Sequence, residues 1–166
     1  MKTITADPWS ISAEDFPANG ATLEKWKFFL SYAVLAPSSH NSQPWLFHVR
    51  QNTLELYADR RRACPVVDPN DRELIMSCGC ALFHLRCAMR HFGYLGSVEI
   101  FPDQDPDLVA RLSLGAQDET DVEESMLRTK LEAVAGHAGF PQAVLRLGFG
   151  ENVKPTPRRE VEEVLI

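Results

Sequence analysis

The stretch Asp71-Arg-Glu-Leu-Ile-Met-Ser-Cys-Gly-Cys-Ala-Leu-Phe-His-Leu-Arg-Cys-Ala-Met-Arg-His-Phe92 decides how this chain folds. Leu74, Ile75, Cys78, Ala81, Leu82, Leu85, Ala88, Met89 and Phe92 recur at three- and four-residue spacing, the period of an α-helix with one broad apolar face. A stripe this wide must be covered by neighbouring elements, so the spacing predicts a central buried helix. Gly93 follows the last apolar position, where a residue free to adopt the left-handed conformation closes a helix well.

On the amino-terminal side, Trp45–Arg50 and Thr53–Ala58 are rich in aromatic and β-branched residues and are split by Gln51-Asn52, which predicts a β-hairpin. Before them, Trp26, Phe29, Leu30, Ala33 and Val34 share one face of a helix that Thr22 would cap and Pro37 would stop. Its aromatic content is expected to be partly exposed. On the other side, Val98–Phe101, Leu108–Leu114 and Ala143–Gly148 read as strands, and Thr120–Val134 reads as a helix with Val122, Met126, Leu127 and Leu131 on one face. The expected fold is α+β, with about five strands in a mainly antiparallel sheet packed with helices around the central one. An irregular arm (1–21), a core domain (22–153) and a tail (154–166) ending in a short helix complete the division.

A length of 166 residues favours a single domain. With 17 basic against 23 acidic residues, the net charge of −6 argues against an electrostatic grip on nucleic acid or anionic lipid. No apolar run approaches the ~20 residues that span a bilayer. Met1 to Ala6 lacks the apolar run of a signal peptide, so the expected location is cytoplasmic. Cys78, Cys80 and Cys87 crowd one stretch and Cys64 stands alone, which is no disulfide framework.

Three patterns imitate metal or anion sites. Cys80, His84, Cys87 and His91 share a helical face, but four positions over three turns span about 16 Å, too long for one tetrahedral ion. Asp103, Asp105 and Asp107 open like a calcium loop, yet Leu108 and Leu114 stand where glycine and glutamate are required. Arg60-Arg-Arg62, just beyond a strand, is a second anion candidate that could reach a phosphate or a nucleotide cofactor, but it reads rather as a solvated run or as partners for Asp59 and Asp68.

The most informative loop is Ala36-Pro-Ser-Ser-His-Asn-Ser-Gln-Pro-Trp45, where two prolines bracket short polar side chains between a helix and a strand. It offers hydroxyls, carboxamides and free backbone amides in a fixed shape, suited to a planar heteroaromatic ligand. A capped Asx- or Ser-type turn is the other reading; it accounts for the serines and Asn41 more readily than for Gln43 with Trp45.

Pro37-Ser-Ser-His-Asn-Ser-Gln-Pro-Trp45 resembles the flavin-contacting loop of the nitroreductase-like FMN flavoproteins. The resemblance continues through Asp68-Pro-Asn-Asp-Arg-Glu73, Ser77 to Leu85, Ala143 to Gly150 and Thr156-Pro-Arg-Arg159, and is strongest to the branch that fuses two such lobes. It implies that Pro37, Ser38, Ser39 and Asn41 touch FMN across a dimer interface, that Gln43 supports loop or ring, and that Arg158 and Arg159 meet the phosphate. The implied reaction passes electrons from NAD(P)H through FMN to a small electron-poor acceptor, a nitroaromatic or quinone. Flavin carries that chemistry, so no protein acid, base or nucleophile is assigned; His40 and His137 are read as structural. A homodimer follows from the same resemblance, with the tail available for exchange with the partner. Residues 1–21 lack the family's arginine-rich opening and the stretch from Gly115 to Ala143 is short, which is the pattern of a shortened single lobe. The alternative is therefore a non-catalytic lobe that sequesters flavin or serves as a dimeric binding module.

Overall fold

The computed structural model describes residues 10–117 and 157–166. Helix α1 (Thr22–Ala33) leads through the proline-bracketed loop to β1 (Trp45–Arg50) and β2 (Thr53–Ala58), followed by α2 (Arg72–His91). Then come β3 (Tyr94–Leu95), β4 (Val98–Ile100), β5 (Leu108–Ser113), β6 (Ala116–Gln117) and the short α3 (Val161–Val164). An antiparallel four-stranded sheet runs in the order β1-β2-β5-β4, and β3 pairs with β6 in a separate ribbon. The α+β reading stands, with four strands in the main sheet. The fifth strand expected at Ala143–Gly148, the helix expected over Thr120–Val134 and His137 lie outside the described residues.

Alternation on the strands explains the layering. Trp45 and Phe47 on β1, Leu54, Leu56 and Ala58 on β2, and Ala110 and Leu112 on β5 are buried. Pairing sets Leu54 against Leu112 and Leu56 against Ala110, and α2 lies over β1, β2 and β5 with Leu74, Cys78, Ala81 and Leu85 inward. Beyond α2 packs α1. Its Trp26, Phe28, Phe29 and Leu30 are all buried, so the expectation of exposed aromatics on this helix is corrected. They are covered because Phe16, from the segment before α1, stacks on Phe92 at 4.5 Å between ring centroids and meets Phe28 at 5.3 Å.

The opposite face of the sheet is polar. Glu55 accepts two hydrogen bonds at 3.0 Å from Arg111, which also reaches Asp103 at 2.7 Å. Two of the three aspartates that imitate a calcium loop are thus ion-paired, Asp103 to Arg111 and Asp107 to Arg60. Among the described residues, no helix is long and apolar enough to cross a membrane.

Two local features differ from the sequence reading. Ala21, rather than Thr22, occupies the cap of α1, and the Glu24 carboxylate reaches back to its N–H at 2.8 Å. The β3–β6 ribbon is too short to show a period; glycines permit it. A Cβ on Gly96 would stand 1.7 Å from the Ser113 carbonyl oxygen, and one on Gly115 (φ +66°) 2.1 Å from that of Leu95.

The start of α2 is fixed by one carboxylate. Asp68, 7% exposed, accepts from the N–H groups of Arg72, Glu73 and Leu74 at 2.9, 2.8 and 3.0 Å. Unpaired amides at a helix start carry partial positive charge, so an anion there is doubly favoured. At the far end of the chain, Val161 and Val164 are buried, Leu165 bridges Phe47 in parallel, and the Ile166 N–H donates to the Phe47 carbonyl at 2.6 Å. The expected outcome for Asp68→Ala is a loss of about 2 kcal/mol in chemical denaturation, with Asp68→Asn losing about half as much.

Candidate functional site

The loop from Pro37 to Pro44 is shaped by its backbone before its side chains. His40, Asn41 and Gln43 hold φ values of 51°, 53° and 49°. Each such conformation costs a non-glycine residue roughly 1–2 kcal/mol, so surrounding contacts must over-determine it. Those contacts come first from α2. The Ser39 N–H donates to the Ser77 hydroxyl at 3.2 Å, and the Ser39 hydroxyl donates to the Glu73 carboxylate. Inside the loop, the Gln43 N–H donates to the Ser38 hydroxyl at 2.9 Å. Next to it, the Pro44 carbonyl accepts from the Cys78 thiol at 3.1 Å and from the Asp59 N–H at 3.0 Å. Burial pushes the Cys78 thiol up to about 12, so it packs and donates without ionising.

The second support is the tail. Asn41 donates through Nδ2 to the Pro157 carbonyl at 3.1 Å and accepts through Oδ1 from Arg158 Nη1 at 2.8 Å. The Arg159 N–H donates to Gln43 Oε1 at 2.8 Å, and Gln43 Nε2 reaches the Pro157 carbonyl at 3.4 Å. Arg159 Nη1 donates to the carbonyls of Gln43 at 3.1 Å and Trp45 at 3.2 Å, while Nη2 donates to that of Glu163 at 2.6 Å. Ser38, Ser39, Asn41, Gln43, Arg158 and Arg159 therefore form one assembly, with Pro37 exposed on the same loop.

The arginine run of the following loop takes part. Arg61 grips Asp59 at 2.8 and 3.1 Å, and this hydrogen bonding holds the Asp59 carboxyl below its usual range. Arg60 pairs with Asp71 and Asp107. Pairing with Asp59 thus stands, whereas Asp68 is no partner, because its oxygens are committed to α2. Arg62 instead donates through Nε to the Ser42 carbonyl at 2.5 Å. Burial, followed by the nearby Arg62 charge, lowers the Arg159 pKa from its ordinary value. Arg62, Arg158 and Arg159 converge on residues 41–43, which gathers three guanidinium groups at one loop of a chain of net charge −6. The sequence offered Arg60-Arg-Arg62 as a second anion candidate but favoured a solvated or paired run; the structure pairs Arg60 and Arg61 with carboxylates and brings Arg62 alone of the three to the loop.

The remaining candidates stay apart. His40 is exposed in the loop. On α2, Cys87 and His91 are exposed, and burial lowers the His84 pKa so that the ring is neutral near pH 7. Among the described residues, no three potential metal ligands cluster. A cleft of about 370 Å³ opens at the other end of α2, lined by Arg86, Met89, Arg90, Gly96, Ser97 and Leu112, and does not border the loop.

No family model matches the chain. Over part of its length it is similar to several curated proteins. "Putative NAD(P)H nitroreductase Rv3131" of Mycobacterium tuberculosis (strain ATCC 25618 / H37Rv) is 45% identical over 74 residues, 45% of this chain and 22% of that protein. "Putative NAD(P)H nitroreductase acg" of the same strain is 35% identical over 103 residues, 61% of this chain and 31% of that protein. "Probable NAD(P)H nitroreductase PigM" of Serratia sp. (strain ATCC 39006) is 42% identical over 67 residues, 39% of this chain and 19% of that protein. The chain is thus nitroreductase-like in sequence, and the matched stretches span under a third of these relatives.

Two outcomes check the loop. Replacing exposed His40 by glycine removes a left-handed penalty and should leave stability unchanged or raise it by up to about 1 kcal/mol. Gln43→Gly relieves the same strain but strands Arg159 and Pro157 groups, and should cost about 2 kcal/mol in denaturant titration. At pH 8 the Cys78 thiol, with its pKa near 12, should remain unalkylated while exposed Cys87 reacts; equal labelling in the folded protein contradicts the burial.

Proposed function

We propose that this chain binds FMN and passes electrons from NAD(P)H to a small electron-poor acceptor, a nitroaromatic or quinone, acting as a cytoplasmic homodimer. The observation that carries this reading is the meeting of the Pro37–Gln43 loop with Arg158 of the tail and Arg62 of the arginine run. The donor set fits the group. Guanidinium forks match a phosphate monoester, and the loop's hydroxyls, carboxamides and amides match the edge of a planar heteroaromatic ring.

When bound, the isoalloxazine supplies two-electron transfer between nicotinamide and acceptor. The chain's part is to bind and orient. Arg158 and Arg62 balance the phosphate charge beside the loop. Asn41, its carboxamide fixed by Pro157 and Arg158, presents one edge to the ring. Ser38 and Ser39, tied to Gln43 and Glu73, hold Pro37 and the loop backbone at the ring's border. The sequence similarity to proteins named NAD(P)H nitroreductases supports the donor and the acceptor class.

Reconstitution with FMN followed by desalting tests the reading. Flavin absorbance should survive on a dimer that consumes NAD(P)H when a nitroaromatic is added. Asn41→Ala and Arg158→Ala should each weaken FMN retention about tenfold, roughly 1.4 kcal/mol, while leaving the thermal transition in place. A colourless protein, or FMN affinity unchanged in both variants, overturns it.

A further inference from the structure

We propose that Arg159 is a positioning residue of this site, a strut that fixes the Pro37–Gln43 loop, and that anion recognition falls to Arg158 with Arg62. The proposal rests on the flavin reading and divides two adjacent arginines that the sequence places in the same role. The Arg159 side chain is 12% exposed. Its guanidinium is spent on three main-chain carbonyls, those of Gln43, Trp45 and Glu163, and its own N–H is spent on Gln43 Oε1. Gln43 and Trp45 are themselves buried, so a phosphate that captured this guanidinium would leave their carbonyl oxygens without it in a dry setting. A planar fork with fixed donors can bridge three carbonyls in different segments, which a lysine ammonium on a flexible stem cannot reproduce. The three carbonyls belong to the loop, to β1 and to α3, so Arg159 couples all of them at the point where Gln43 holds its left-handed conformation. Arg158 meets the loop differently, through the Asn41 side-chain oxygen, with a further bond to the Pro157 carbonyl at 3.3 Å, beside the point where exposed Arg62 reaches Ser42.

Paired titrations with FMN and riboflavin, which differ only in the phosphate, separate the two roles. Arg158→Ala should lower FMN affinity about tenfold and leave riboflavin affinity unchanged, collapsing the preference between them. Arg159→Ala and Arg159→Lys should lower both affinities together, with the FMN-to-riboflavin ratio held within twofold. Loss of FMN binding alone in the Arg159 variants makes Arg159 a phosphate ligand and overturns the proposal. A second readout needs no flavin: in the ligand-free full chain, both Arg159 variants should speed hydrogen exchange at the Gln43 amide at least tenfold, with β2 and β5 amides unchanged. Wild-type exchange in Arg159→Lys shows that charge alone suffices and overturns the strut. If the wild-type chain binds neither flavin, the flavin reading fails and the exchange experiment still decides whether Arg159 holds the loop.

Discussion

The three amide hydrogens at the start of α2 need an acceptor, and the buried Asp68 carboxylate supplies it. Everything near the loop depends on where that places the helix. Each residue added or lost at a helix start turns the following side chains by about 100° around the axis. Starting at Arg72, α2 sends Leu74, Cys78, Ala81 and Leu85 onto the sheet and at the same time brings Glu73 and Ser77 under the loop. Cys78 serves both purposes, lying in the core while its thiol donates to Pro44. The scaffold and the candidate site are therefore cut from the same two helical turns.

The parts of this arrangement that follow from period were legible. The nine apolar positions from Leu74 to Phe92 foretold α2, and the aromatic and β-branched runs on either side of Gln51-Asn52 foretold the hairpin, whose register from Trp45↔Ala58 to Arg50↔Thr53 agrees with a two-residue break. The parts that follow from distant pairing were not. Nothing local says that Asp68 caps a helix while Asp59 takes the arginine, since both are aspartates within six residues of the arginine run. The aromatic face of α1 gave no sign of its cover, because Phe16 lies in a segment without period and Phe92 closes another helix. The loop and the tail arginines were recognisable only through resemblance to a family. Their contact, across 116 residues between Gln43 and Arg159, is a property of the folded chain alone.

Charge shows the same separation between global and local. The chain is acidic overall, yet on the polar side of the sheet and in the loop of Arg60 several of its acids are ion-paired. Arg111 gathers Glu55, Asp103 and Glu99, and Arg60 takes Asp71 and Asp107. Apart from those pairs, Arg62, Arg158 and Arg159 all meet residues 41–43 of the loop. A composition-level argument against polyanion binding is compatible with a small anion held at one place, because screening confines each field to about 10 Å.

The short pairing of Leu165 and Ile166 with Phe47 has a reach beyond the site. Among the described strands, β1 is outermost in its sheet, and a strand edge left open is a template on which a strand from another molecule can assemble. The tail that carries Arg158 and Arg159 to the loop also brings Leu165 and Ile166 to that edge. Release of the tail would consequently undo two things at once: the loop would lose its support, and a hydrophobic strand bearing Trp45 and Phe47 would present its main chain to neighbours. One stretch of chain thus both braces the candidate site and lies against the edge of β1.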